Sequence, residues 1–465
     1  MAEKNKELKE KLFSRKKNGY DRVSGKELAA MEEYCVGYKA YLDAGKTERL
    51  CAEETIRLAE AAGYRRYERG MALASGDKVY VCNRGKAVML AHLGTDTLDN
   101  GANIVAAHID SPRLDLKPNP LYEEAEMAYF KTHYYGGVRK YQWTTILLEL
   151  HGVVVKTDGT AVKVNIGADE GDPKFIITDL LPHLGADQNK KPLGEAIPAE
   201  NLNLLLGSRP VEDEDGGDRV KLAVMQLLYD KYGITEDDFT SAELAAVPAA
   251  NASDIGLDRS LIAAYGHDDR VCGYAALKAL LDLEETPVKT AVCMLADKEE
   301  IGSMGVTGMQ SAAFDTFMED LCDAQDVLLR ACYEKSFCLS ADVNAAYDPG
   351  FAEVYEKRNA AFVNYGVCLS KYTGARGKSG SSDASAETVA RVRGVFERAD
   401  VLWQIAELGK TDVGGGGTVA QFMANRNIDT IDAGVAVLSM HAPVEVVSKL
   451  DCYETYKGMK AVYQA

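Results

Sequence analysis

The sequence predicts an α/β protein with a second, largely β domain inserted into it, and three observations carry that reading. Short apolar runs at 103–107 and 292–296 have strand length and stop abruptly at polar and charged residues, as buried strands do. Between such runs lie segments of helical spacing, for example Leu28, Met31, Cys35, Tyr38 and Leu42 on one face. The texture changes after Asp115 and stays aromatic, glycine-bearing and alternating to about residue 255. At 465 residues the chain exceeds one ordinary core. The expected division is 1–118, then an insert at 119–255, then 256–465.

Residues 1 to about 26 are rich in Lys and Glu and are expected to be frayed or weakly helical. A helix is expected from Glu27, a second through Ile56, Ala59 and Ala62, and a hairpin over 78–93. The strand at 103–107 ends in His108-Ile109-Asp110-Ser111-Pro112-Arg113. In the insert, Pro118 and Pro120 punctuate, 129–143 is aromatic, and 144–155 and 161–166 read as strands. Residues 175–181 lead into Pro182-His183-Leu184-Gly185. The acidic stretch 212–218 reads as a solvated loop, 219–232 as a helix and 234–243 as a strand region.

From Leu257 the α/β texture resumes. Gly266-His267-Asp268-Asp269-Arg270 precedes a helix over 271–283. The strand at 292–296 ends in Asp297-Lys298-Glu299-Glu300-Ile301-Gly302-Ser303. A helix is expected over 314–333, a strand at 337–341 closing on Asp342, and a strand at 366–370 before a Gly/Ser loop at 374–382. A helix near 384–399 and a strand at 401–406 follow. Gly414 to Gly417 opens a helix to Asn425, a last strand at 430–438 ends in Ser439-Met440-His441, and a helix closes the chain from Glu454.

The composition, 46% hydrophobic and 27% charged, is that of a soluble globular protein. A net charge of −18 and a pI near 5.0 argue against nucleic acid or an anionic membrane as partner. No apolar run approaches the ~18 residues of a membrane span. The ten cysteines form no CxxC pair, and several sit in apolar runs as small hydrophobes. With no apolar signal stretch in the opening residues, the expectation is a reduced, cytoplasmic protein.

Polar chemistry recurs at strand and loop ends: His108, Asp269, Glu300, Asp342 and His441. Imidazoles with carboxylates are the donors of a two-metal hydrolytic site, in which one carboxylate must bridge the ions. A further carboxylate must move the water's proton, and Glu299 is placed for that. Asp110 could accept the second N–H of His108 and fix its tautomer. Each feature has a plain alternative. A Glu-Glu pair after a strand is also a solvated loop, Asp268-Asp269 could serve only as a helix N-terminus, and Asp342 could begin a turn. Gly374-Ala375-Arg376-Gly377-Lys378-Ser379 approximates a phosphate loop, but Tyr372 stands where the motif needs glycine. Gly414 to Gly417 could receive an anion or let backbone segments approach closely.

Four motifs in order carry a resemblance: Ala107-His108-Ile109-Asp110-Ser111-Pro112-Arg113-Leu114-Asp115, Gly266-His267-Asp268-Asp269-Arg270-Val271, Asp297-Lys298-Glu299-Glu300-Ile301-Gly302-Ser303 and Leu438-Ser439-Met440-His441-Ala442-Pro443-Val444-Glu445. Together they resemble the aspartyl aminopeptidase / aminopeptidase I family of zinc metallopeptidases, across nearly the whole chain. The resemblance implies a three-layer α/β/α di-zinc catalytic domain and a mainly β dimerisation insert. It implies two divalent ions per subunit, zinc foremost with cobalt or manganese as substitutes, peptides as substrates, and dimers that build a dodecamer. His108 and Asp342 would hold one ion, Glu300 and His441 the other, with Asp269 between them, Glu299 as general base and Asp110 orienting His108. His183 would reach a neighbouring subunit's site. Lys371 would lie near the substrate side chain and favour an acidic first residue modestly over a neutral one. The chain departs from many members at Asp269-Arg270, where they have Asp-Asn, and at Asp342-Val343-Asn344-Ala345-Ala346, where they have Asp-Met-Ala-His-Ala. The remaining alternatives are a silent scaffold on the same fold and another amide hydrolase of the co-catalytic zinc class.

Overall fold

The parallel strands that deliver the site belong to a nine-stranded sheet. Its members are β1 (Arg65–Arg66), β2 (Lys78–Asn83), β3 (Ala87–His92), β4 (Ala102–His108), β5 (Thr290–Ala296), β6 (Phe337–Ser340), β7 (Val367–Ser370), β8 (Trp403–Ile405) and β9 (Asp429–Gly434). This is a computed structural model that describes residues 2–14, 16–212 and 216–465. The strand order is β1-β2-β3-β5-β4-β6-β9-β7-β8. At its centre β5, β4, β6 and β9 are mutually parallel, so their carboxyl ends open on one edge.

Both faces of the sheet are buried, which explains why its strands are apolar runs rather than alternating ones. Along β4, Val105 and Ala107 enter one core while Ile104 and Ala106 enter the other; along β5, Cys293 and Leu295 oppose Val292 and Met294. The first core is closed by helices Gly25–Ala44, Glu48–Ala61, His267–Leu281, Ala386–Arg398 and Lys449–Tyr463, the second by Ala313–Asp323, Leu329–Lys335 and Ala420–Ala424. The result is a three-layer α/β/α unit. All ten cysteines are free, and only Cys82 is not fully buried.

A second sheet is antiparallel throughout and runs in the order Ala242–Pro248, Arg113–Glu124, Met127–Tyr135, Asn203–Gly207, Phe175–Ile176, Leu147–Val155, Ala161–Ile166. Strand Ala242–Pro248 also pairs with Leu147–Val155, so the sheet closes on itself around a core containing Trp143, Phe130 and Leu204. Its first strand starts at Arg113, five residues after His108, and this β-rich unit therefore grows directly out of the edge on which the parallel strands end.

Some sequence expectations shift. The first long helix starts at Gly25, because Ser24 accepts from the Glu27 N–H while Glu27 accepts at 2.8 Å from the Ser24 N–H, a reciprocal cap. An additional helix occupies Ala2–Leu12. The helix expected over 314–333 breaks into two around Asp326, whose φ is 56°. Residues 236–241 form a 3-10 turn, and the strand follows at Ala242–Pro248. Within the expected acidic loop, residues 213–215 lie outside the described residues. The helix after the glycines at 414–417 begins only at Ala420 and runs to Ala424, and a Cβ on Gly415 (φ +108°) would stand 1.9 Å from the Gly374 carbonyl oxygen, so close backbone approach needs glycine there.

Gly434, at the end of β9, has a similar duty beside the site, since a Cβ there would fall 1.9 Å from the Asp342 carbonyl oxygen. Gly434→Ala should therefore push the Asp342 segment aside and cost about 1–3 kcal/mol. Denaturant unfolding of the variant checks this, and a change within 0.3 kcal/mol (roughly the error of such comparisons) would show that the segment has slack. Among the described residues, no helix is long and apolar enough to cross a membrane.

Candidate active site

His108 is the last residue of β4, and its ring is fixed from behind. Its Nδ1–H donates to the Asp110 carbonyl oxygen at 3.0 Å, with the Asp110 carboxylate 3.3 Å away, which leaves Nε2 as the free acceptor. His441 follows the short strand Ala436–Leu438 and is fixed the same way: Nδ1–H donates to the Gly137 carbonyl oxygen at 2.9 Å, so its Nε2 also faces inward. The two imidazoles thus turn equivalent lone pairs toward one space.

A single carboxylate stands between them. Asp268 Oδ1 is 3.2 Å from His108 Nε2, and Asp268 Oδ2 is 3.1 Å from His441 Nε2. This corrects the expectation that Asp269 takes that place. Asp269 is turned away: its Oδ2 accepts from the His108 backbone N–H at 3.4 Å, and Oδ1 has no partner. The physical reason is local. Asp268 and Asp269 have non-helical backbone angles ahead of the helix proper, and successive side chains on such backbone point different ways. Burial and the neighbouring Asp268 charge hold the Asp269 carboxyl well above the usual range.

The other expected donors converge. Glu299 Oε2 lies 3.8 Å and Asp342 Oδ1 3.9 Å from His108 Nε2, while Glu300 Oε2 is 3.6 Å from His441 Nε2. Glu299 and Glu300 occupy a 3-10 turn (Glu299–Ile301) just past β5, and Asp342 lies two residues past β6. Asp110 anchors that turn, its Oδ1 accepting from the Glu299 N–H at 3.1 Å and Oδ2 from the Glu300 N–H at 3.3 Å. Tyr135 also donates to Asp110 Oδ2 at 2.7 Å.

Sequence reasoning missed four supports. Besides Asp268 and Tyr135, Glu445 accepts from the Asp268 N–H at 3.0 Å and from the His441 N–H at 2.6 Å, clamping the two segments together. Gly137 supplies the carbonyl for His441, and a Cβ on it would come 3.0 Å from the ring nitrogen. Glu445 lay within a quoted motif; nothing in the aromatic run around Tyr135 and Gly137 marked them. His183 is exposed on a turn of the β-rich unit, outside this cluster. Lys371 follows β7, but its ammonium lies 3.4 Å from Asp383 rather than in the cavity.

The electrostatics ask for cations. Burial pushes Glu299 up to about 7, partly offset by His108 and reinforced by Asp110, and it lifts Glu300 and Asp342 well above the usual range. Burial opposes charge on His441, yet the bond to Asp268 and the Glu300 charge raise it to about 10. Among the described residues the cluster thus has only the two imidazoles to set against four carboxylates, and each imidazole must give up its inward lone pair to carry charge. Triads His108–Glu299–Asp342 and His108–Asp268–Glu300 each place donor atoms within 4.8 Å of one another, and the buried Glu300 Oε1 has no partner. Hard oxygen and imidazole donors in this density fit divalent ions such as zinc. A cavity of about 380 Å³ opens onto Asp268, Glu299, Glu300, Asp342 and His441.

An α/β/α unit whose adjacent strand ends deliver such an imidazole–carboxylate cluster defines a metallohydrolase. The family model for aminopeptidase I zinc metalloproteases (M18) matches residues 41–463. A probable M18 family aminopeptidase 1 of Clostridium acetobutylicum is 47% identical over 460 residues, covering 97% of this chain and 98% of that protein. The crystal structure of an M18-family aminopeptidase of Thermotoga maritima superposes with a TM-score of 0.93 at 43% identity, covering 97% and 100% of the two chains. The mApe1 dodecamer of S. cerevisiae shares the fold, with a TM-score of 0.75 at 21% identity over 94% and 98% of the chains. The chain belongs to the M18 family of zinc aminopeptidases.

Proposed function

We propose that this aminopeptidase removes N-terminal residues from peptides by water attack at a two-ion centre, with Glu299 as general base. The observation that carries the reading is the sharing of Asp268 between two inward-facing imidazoles, at 3.2 and 3.1 Å. His108 and Asp342 would hold one divalent ion, Glu300 and His441 the other, and Asp268 both; zinc suits these donors, as do cobalt and manganese. When bound, the ions supply Lewis-acid chemistry, acidifying a water and polarising the scissile carbonyl. Asp110 holds His108 in one tautomer and fixes the turn that carries both glutamates. Glu299, next in the chain to the ligand Glu300 and facing the same space, would take the water's proton and return it to the leaving amine.

Of the two expected side-chain preferences, the geometry disfavours the acidic one. Lys371 is engaged by Asp383, and among the described residues no Lys or Arg lines the cavity. A non-acidic first residue suits these walls better. The segment 119–255 is proposed as the dimerisation unit, building toward a dodecamer, with His183 completing a neighbour's site; exposed Leu180, Leu181 and Leu184 around it support an association surface.

Dialysed protein reconstituted separately with Zn²⁺, Co²⁺ or Mn²⁺ should cleave aminoacyl-nitroanilides and spare their N-acetylated forms. Cleavage of the blocked substrates, or none with any ion, would sink the reading. Elemental analysis finding one tight ion per chain would remove its two-ion part.

A further inference from the structure

The cavity wall contains a carboxylate that the proposed mechanism does not use. Asp432 lies in β9, opposite Ser340 of β6 in register, and is only 2% exposed. Ser340 is two residues before Asp342 in the chain. Asp432 Oδ1 accepts from the Ser340 and Thr418 hydroxyls, each at 2.8 Å. Its Oδ2 has no hydrogen-bond partner among the described residues, although Asp432 lines the cavity. A buried carboxylate oxygen left unpaired is destabilising unless a donor reaches it.

The neighbouring wall has the same character. Asn344 donates its amide N–H to Ser370 Oγ at 2.9 Å, leaving its Oδ1 unpartnered, and the Thr373 hydroxyl is also unpartnered. Both residues line the cavity. The wall therefore buries two acceptors and a hydroxyl without partners, and among the described residues no Lys or Arg lines the cavity. Burial pushes Asp432 up to about 6 while the Thr418 and Ser340 hydroxyls pull it down.

We infer that Asp432, with Asn344 and Thr373 beside it, is the specificity-determining group of the cavity and selects peptides whose first residue carries a cationic, hydrogen-bond-donating side chain, lysine or arginine. An ammonium or guanidinium supplies the charge and the donors that Oδ2 and the Asn344 oxygen lack, and an acidic side chain would meet like charge. A site built to hydrogen-bond a substrate group discriminates strongly against an analogue lacking it. This inference rests on the aminopeptidase reading and deepens it.

The test uses the metal-loaded, full-length protein with lysyl-, arginyl-, norleucyl- and glutamyl-nitroanilides. Norleucine keeps the chain of lysine without its ammonium. Lysyl kcat/KM should exceed norleucyl by about tenfold or more, a discrimination of about 1.4 kcal/mol, and the ratio should collapse toward one in Asp432→Asn, whatever that variant's absolute rate. Free L-lysine should also inhibit the wild-type protein more tightly than L-norleucine, a comparison that needs no variant to fold. Norleucyl cleaved as well as lysyl, glutamyl preferred to both, or an Asp432→Asn ratio equal to wild type would each overturn the assignment. Those outcomes leave the aminopeptidase reading standing; a wild-type protein that cleaves none of the four takes down both.

Discussion

Glu299→Gln should keep its metal and lose turnover by roughly 10²–10⁴-fold. The substitution is nearly isosteric, and the turn that carries it is held by its main chain: Asp110 accepts the Glu299 N–H at 3.1 Å, which glutamine retains. What glutamine lacks is a carboxylate oxygen to hold the proton in transit. The measurement is kcat alongside metal content on the same preparation. Because Glu299 Oε2 is 3.8 Å from His108 Nε2, the variant also separates two roles. Metal retained with activity lost is the signature of a base, whereas metal lost in parallel with activity marks a ligand, and full activity removes Glu299 from the chemistry.

The second large effect separates two adjacent aspartates. Asp268→Asn should weaken metal binding by more than ~100-fold, beyond the 10–100-fold typical of residues that only support ligands. One of its oxygens faces each imidazole, and an amide nitrogen in either place presents donors where a cation belongs. Asp269→Asn should be mild by comparison. Its carboxyl is turned away from both imidazoles and accepts the His108 N–H, a bond that an amide oxygen can keep. Chelator competition on the two variants gives the ratio directly. Equal losses would mean that both carboxylates serve the ions, and a larger loss at Asp269 would restore the expectation drawn from sequence.

That reversal shows where the sequence stops being legible. Strands that end in chemistry are visible because burial on both faces forces apolar runs, and the break to His108, Glu299 and Asp342 is a break in solvation. Residue type and spacing cannot distinguish Asp268 from Asp269, since the choice depends on backbone angles at those two residues. Tyr135, Gly137 and Asp432 were invisible for another reason. Their partners are 25 residues away for Tyr135 and 304 for Gly137, and for Asp432 they come from two other segments, 92 and 14 residues away. Only tertiary folding creates those contacts. Lys371 had the right chemistry and neighbourhood, but Asp383, twelve residues on, takes its charge.

The hydrogen bond from His441 to the Gly137 carbonyl joins parts of the molecule that would otherwise be treated as separable. One histidine of the centre is oriented by its own strand-end turn, the other by a main-chain oxygen at the exit of strand Met127–Tyr135. The same strand supplies Tyr135 to Asp110. The β-rich unit therefore orients residues of the candidate site as well as extending from it. A linker replacing it could preserve the nine-stranded sheet and every ion ligand and still leave the His441 ring free to rotate. Engineering or evolutionary change in the insert is constrained accordingly: its outer strands can diverge, while the glycine turn against the catalytic edge must keep its backbone path.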